Sequence, residues 1–150
     1  MPAFRRPESI LVVVHARDGR VLMLERVLPP RFWQSVTGSL EEGEGPVEAA
    51  RRELAEETGL VAADPLIDLE LSQRFPIAPA WRHRFAPGVT ENLEHAFALE
   101  VPEVFTPLVN PAEHRRHLWL SAREAIARAS SWSNRNAIAR VFPDAGGNAL

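Results

Sequence analysis

The chain has 150 residues, 45% of them apolar and 25% charged, with a formal net charge of −3. That length and balance fit one soluble domain with a real core and exclude a disordered chain, and no stretch approaches the ~20 apolar residues of a membrane span. The lack of Cys excludes disulfide scaffolds, thiolate zinc sites and cysteine nucleophiles, and the mild acidity argues against nucleic-acid binding through charge.

Every basic residue is Arg, a bias that reads as codon usage; only a few of these guanidinium groups can serve phosphate recognition. Met1 to Ser9 is polar and lacks the apolar segment of a signal peptide, so a cytoplasmic location is expected. Ser9 to His15 is a β-branched run that predicts a strand buried on both faces. Asp18-Gly19 signals a turn, with Val21 to Leu24 as the hairpin partner. Phe32 to Val36 predicts a short strand, and Gly38 to Gly45 a loop rich in Gly and Glu.

Pro46 to Thr58 is the strongest helix, with Pro at its first position and Gly59 as its stop. Leu66 to Phe75, Glu94 to Leu99 and His117 to Leu120 read as strands, joined by proline-rich connections over 76–87 and 102–111. Ser121 and Glu124 form a capping box for a helix through Arg128, and Ser133 or Asn134 is expected to cap a last helix through Val141. The order predicts a single α/β domain over 1–143, a mixed β-sheet with helices on both faces, and a loose tail over 144–150.

On the 46–58 helix, Glu53, Glu56 and Glu57 fall within an arc of roughly 100°, beside Val47, Ala50 and Leu54, which can pack on the sheet. Three carboxylates so placed repel and call for a divalent cation, and all-oxygen ligation suits Mg²⁺ or Mn²⁺. Arg52, four residues from both Glu48 and Glu56, can orient the carboxylates by ion pairing, and Glu44 can reach the same site. Arg26 ends an apolar strand and can grip phosphate in two-pronged fashion; Arg5 and Arg6 can add charge at a pocket rim. Thr37 either bonds substrate or packs in a strand. Trp132 either stacks on a flat heterocycle or fills the core, and Ser133 either binds ligand or caps a helix. The Arg82–Arg84 cluster can pair with Glu91 and Glu94; His95 reads as a satisfied core residue.

The fixed positions Gly38, Glu44, Arg52-Glu53-Leu54, Glu56-Glu57 and Gly59-Leu60 match the Nudix box in full, and the segment resembles the metal-binding loop–helix of the Nudix hydrolases. That resemblance implies an α/β/α sandwich, metal ligation by Glu53, Glu56 and Glu57, and, on the loop before the last strand, Glu113 as a general base and further metal ligand. Phe32 to Ser39, Arg82 to Thr90, Glu113-His114 and Ser131 to Arg135 are similar to the bacterial branch of the family that acts on 7,8-dihydroneopterin triphosphate in folate synthesis. This implies a Mg²⁺-dependent pyrophosphohydrolase of a small-molecule triphosphate. It would be a monomer or weak homodimer with no nucleic-acid or membrane partner. The stretch Phe75 to Trp81 departs from that branch, being shorter and poorer in aromatics, which keeps a general (deoxy)nucleoside triphosphate diphosphatase open. An intact box argues against a non-catalytic ligand sensor, and the lack of Cys against an isoprenyl diphosphate isomerase.

Overall fold

Strand β1 (Glu8–Ala16) is the axis of the fold, and the run Ile10 to Val14 is at most 1% exposed. The computed structural model describes residues 4–61 and 65–146, and places β1 inside a seven-stranded mixed sheet. The other strands are β2 (Val21–Arg26), β3 (Trp33–Gln34), β4 (Val36–Ser39), β5 (Ile67–Pro76), β6 (Glu91–Val101) and β7 (His114–Leu120). β1 runs parallel to β6 along its whole length, from Glu8 opposite Leu93 to Ala16 opposite Val101. A strand so paired is buried on both faces, which explains its unbroken apolar run.

The hairpin expected from Asp18-Gly19 is only a turn. β1 and β2 meet at His15 and Val21 alone, after which β2 diverges and pairs with β7 from Val21 to Arg26. β4 takes the vacated edge of β1, with Leu11 opposite Thr37 and Ile10 opposite Gly38. So Gly38 and Ser39, expected in a loop, belong to a strand, and the short strand expected over 32–36 is divided into β3 and β4.

Helix α1 (Pro46–Thr58) keeps the predicted bounds. It covers one sheet face with Ala49, Ala50 and Leu54 against Ile10, Val12, Leu24, Phe97 and Leu99. Val47 is half exposed rather than packed, because it lies in the first turn, and Ala49 takes the inward place. Helices α2 (Ala122–Arg128) and α3 (Trp132–Val141) cover the opposite face, with Ala125, Ala137 and Ile138 against Leu11, Val13, Met23, Ala96 and Ala98. The fold is therefore an α/β/α sandwich. Ser121 caps α2 as expected. α3 starts earlier than expected: Ser131, not Ser133 or Asn134, is the cap, and its hydroxyl accepts the Asn134 N–H at 3.2 Å. Residues 143–146 form one helical turn, α4 (Pro143–Gly146); 147–150 lie outside the described residues.

Candidate active site

The glutamate-bearing face of α1 lies against β4 at Gly38. A side chain there would overlap the Glu53 carboxylate, so this position needs glycine for space alone. The loop between β4 and α1 is pinned at both ends. The Glu48 carboxylate accepts the Gly45 N–H at 2.8 Å, closing the start of α1. Gly59 ends the helix at φ 80°, a conformation favouring glycine, and its N–H reaches the Ala55 carbonyl at 3.0 Å.

Arg52 organises the acidic face. Its Nε and Nη2 bind the two Glu44 oxygens at 2.8 and 2.9 Å, a two-pronged pair. Its Nη1 reaches Glu53 at 2.9 Å and Glu56 at 3.0 Å, and Nη2 also donates to the Ser39 carbonyl at 3.0 Å. The partner expected at Glu48 is replaced by Glu44, because Glu48 is committed to the cap. The guanidinium holds the Glu44 carboxyl down at about 2, and its own pKa rises in turn. Arg6 ties the same loop to β1: Nη1 donates to the Glu41 and Glu44 carbonyls at 2.8 and 2.9 Å, and Nη2 to Glu8 at 2.9 Å. Arg6 thus braces the loop rather than extending to a rim.

Glu57 is the innermost carboxyl group, 3% exposed, and its Oε1 is buried with no hydrogen-bond partner. Burial pushes its pKa well up, and the neighbouring Glu53 carboxyl and the charge of Glu113 push the same way; the Thr37 backbone opposes them. Burial raises Glu53 too, against the pull of Glu57 and Arg52. Glu56 is half exposed and turned toward Arg52. Among the described residues no three acidic or imidazole side chains converge, as they stand, on one point fit for an ion. The close pair Glu53–Glu57 nonetheless suits a hard divalent cation. Its donors are all oxygen, one of them is orphaned, and a positive charge would relieve both the repulsion and the burial cost.

The remaining sequence-predicted residues surround this centre. Glu113 is exposed in the turn before β7, near enough for its charge to act on Glu57. Thr37 is half buried in β4. Arg26, at the end of β2, donates from Nε to the Leu28 carbonyl at 2.7 Å and lies 5.8 Å over the Trp81 ring. Arg84 covers the same ring at 4.6 Å, and Arg82 donates to the Ile77 carbonyl. Neither pairs with Glu94, which is buried. Arg5 is exposed and its N–H reaches the Arg84 carbonyl at 2.8 Å. An open cleft of about 500 Å³ lies between Phe4, Arg82, Phe85 and Thr90; no carboxylate of α1 lines it.

Trp132 is 46% exposed at the start of α3, not a core residue, and Ser133 is buried beside it. His95 is satisfied as expected, between Ser72 at 3.0 Å and Glu8 at 2.7 Å, but it is partly exposed rather than a core residue. Sequence reasoning gave Asn134 and Glu94 other roles and missed that both are buried with Gln73 and Asn92 as one polar group beneath α3. The alternation of Asn92 and Glu94 with Leu93 and His95 in β6 was the available signal.

The NUDIX domain pattern matches residues 5–141. The dihydroneopterin triphosphate diphosphatase of Escherichia coli K12 is 50% identical over 143 residues, covering 90% of this chain and 91% of its own. The Haemophilus influenzae enzyme of the same name is 40% identical over 146 residues, covering 95% and 91%. The solved structure of the E. coli dihydroneopterin triphosphate pyrophosphohydrolase superimposes with a TM-score of 0.85 at 46% identity, covering 93% of this chain and 97% of that one. The match spans every strand of the sheet and the helices on both its faces, and the chain belongs to the Nudix family of hydrolases.

Proposed function

We propose that this chain is a Mg²⁺-dependent pyrophosphohydrolase that converts 7,8-dihydroneopterin triphosphate to dihydroneopterin monophosphate and pyrophosphate in the cytoplasm, as a step of folate synthesis. The observation that carries the reading is the close Glu53–Glu57 pair, with Glu53 against Gly38 and a buried oxygen of Glu57 left without a partner. It sits in a chain half identical to a relative named for that substrate. Glu53 and Glu57 would hold the cation, joined by Glu56 on release from Arg52. Mg²⁺ would be the working ion and Mn²⁺ a substitute. A bound cation offsets phosphate charge and lowers the pKa of water.

The chain's own groups do the rest. Arg52 stays paired with Glu44 and keeps α1 and its loop in register. Glu113, exposed and free of any ion pair seen among the described residues, accepts the proton of the attacking water. Arg26 and Arg5 supply positive charge toward the phosphate chain. Thr37, Trp132 and Ser133 bound the heterocycle's side, reached through β4 and the start of α3. Water adds across one phosphoanhydride bond, so the water oxygen ends on phosphorus and pyrophosphate leaves.

The test is hydrolysis of dihydroneopterin triphosphate with and without Mg²⁺, with pyrophosphate and orthophosphate assayed separately. Ion-dependent release of pyrophosphate is expected. Orthophosphate as the sole product, or turnover that ignores chelation of the ion, would overturn the reading.

A further inference from the structure

Beneath the first turn of α3, four polar side chains are buried between α3 and the sheet, and all but one are satisfied. Gln73 uses both ends, donating to the Ser133 carbonyl at 3.1 Å and accepting from Asn136 at 2.8 Å. Asn134, fully buried, accepts the Ser35 N–H at 2.8 Å and donates to the Ser35 hydroxyl at 2.9 Å. Asn92 donates to the Ser9 hydroxyl at 2.8 Å. Glu94 is the exception. It is 5% exposed, it lies beside the Ser133 hydroxyl, and its Oε1 has no partner. A buried carboxyl group with an empty acceptor costs stability, and a cluster otherwise complete gives that vacancy a reason only if something else fills it.

Register places the vacancy two strands from β4, on the sheet face that also carries Thr37, while Gly38 and the carboxylates of α1 lie on the other face. Glu94 lies opposite Ser9 of β1, and Ser9 lies opposite Ser39 of β4, one residue beyond Gly38. Neighbouring strands are about 4.8 Å apart, so Glu94 and Ser39 are separated by about 10 Å. A ligand whose phosphate chain is held at the α1 carboxylates would reach this face by passing β4 where β2 diverges from β1, which brings its heterocycle to the side of Thr37 and Ser133. Trp132, half exposed in the same turn as Ser133, offers a flat apolar face there.

The geometry points to Glu94 as the residue that reads the heterocycle, its carboxylate accepting two adjacent N–H donors, the ring N–H and the neighbouring exocyclic amine of a 2-amino-4-oxopyrimidine edge. A carboxylate suits that edge because it offers acceptors only. Pterin and guanine present the edge; adenine does not. The inference deepens the triphosphate reading above and rests on it.

The test compares dGTP with dITP, which lacks the 2-amino group, for the wild-type chain and for Glu94→Gln, with dATP as the reference. In the wild type, kcat/KM for dGTP is expected to exceed that for dITP by about 10-fold or more, the worth of one charge-assisted hydrogen bond. In Glu94→Gln that ratio should fall toward one, with the loss on dGTP and on dihydroneopterin triphosphate exceeding any loss on dATP by about 10-fold or more. A wild-type dGTP/dITP ratio near one would overturn the assignment, as would an equal loss on all substrates. If Glu94→Gln fails to fold, the wild-type ratio alone decides. A wild type that does not favour the pterin over dGTP would refute the substrate proposed above while leaving the Glu94 ratio a valid test.

Discussion

Gly38→Ala isolates the position of one carboxylate from the stability of the fold. The backbone at Gly38 is ordinary strand, so Ala adds only a methyl group. That methyl would overlap Oε2, Cδ and Cγ of Glu53. Carbon contacts settle at about 3.5–4.0 Å, so the carboxylate must retreat by more than about 1 Å. The atoms that must move are the far end of a flexible side chain. The overpacking cost should therefore sit near the low end of its usual range, about 1 kcal/mol, and the lower chain entropy of Ala in the unfolded state offsets about half of that or more. A displacement of that size at reacting groups costs about 100-fold in rate. The variant should thus melt close to wild type and lose about two orders of magnitude in kcat. Thermal denaturation and Mg²⁺-dependent hydrolysis, run on the same preparation, check this. Full activity in a variant of unchanged stability would refute the claim that Glu53 must lie against Gly38.

Other substitutions separate the roles of the acidic groups. Glu57→Gln keeps the shape of a buried side chain and removes a carboxyl group that burial disfavours, so it should fold at least as well as wild type yet lose most activity; wild-type turnover at saturating Mg²⁺ would remove Glu57 from the site. Glu113→Gln should leave the melting temperature unchanged, since the side chain is exposed, and lower kcat by about 100-fold or more; an undiminished rate would return Glu113 to the surface. His114 is buried, and burial with the Arg26 charge lowers its pKa to about 4, so the folded state holds it neutral. Its contribution is present above the unfolded value near 6.5 and is lost as pH falls toward 4, about 2 kcal/mol by pH 5. The wild type should therefore lose more stability than His114→Gln between pH 7.5 and pH 5 in urea titrations; equal losses would contradict the assignment.

Features set by neighbours in sequence were legible. Pro46 and Gly59 bound α1 because a first-position proline and a left-handed glycine act within one turn. The arc of glutamates followed from helical geometry alone. Features set by distant pairing were not. Nothing local to Val21–Leu24 says that β2 leaves β1 for β7, because the choice depends on residues about a hundred positions away. Arg52 met Glu44 rather than Glu48 because a backbone N–H at Gly45 competes for Glu48, and spacing rules carry no such competition. Glu94 was expected as an exposed partner of the Arg82–Arg84 cluster, and its burial was missed for a related reason. Its burial comes from α3 closing over the sheet, while in sequence it is one polar residue in an ordinary alternating strand.

The most direct measurement of the central claim is a kcat/KM ranking of dihydroneopterin triphosphate against the common ribo- and deoxyribonucleoside triphosphates, with Mg²⁺ at saturation. The expected result is a clear preference for the pterin. A flat profile, or a preference for one nucleotide, would contradict it and assign the same fold and carboxylates to upkeep of the nucleotide pool.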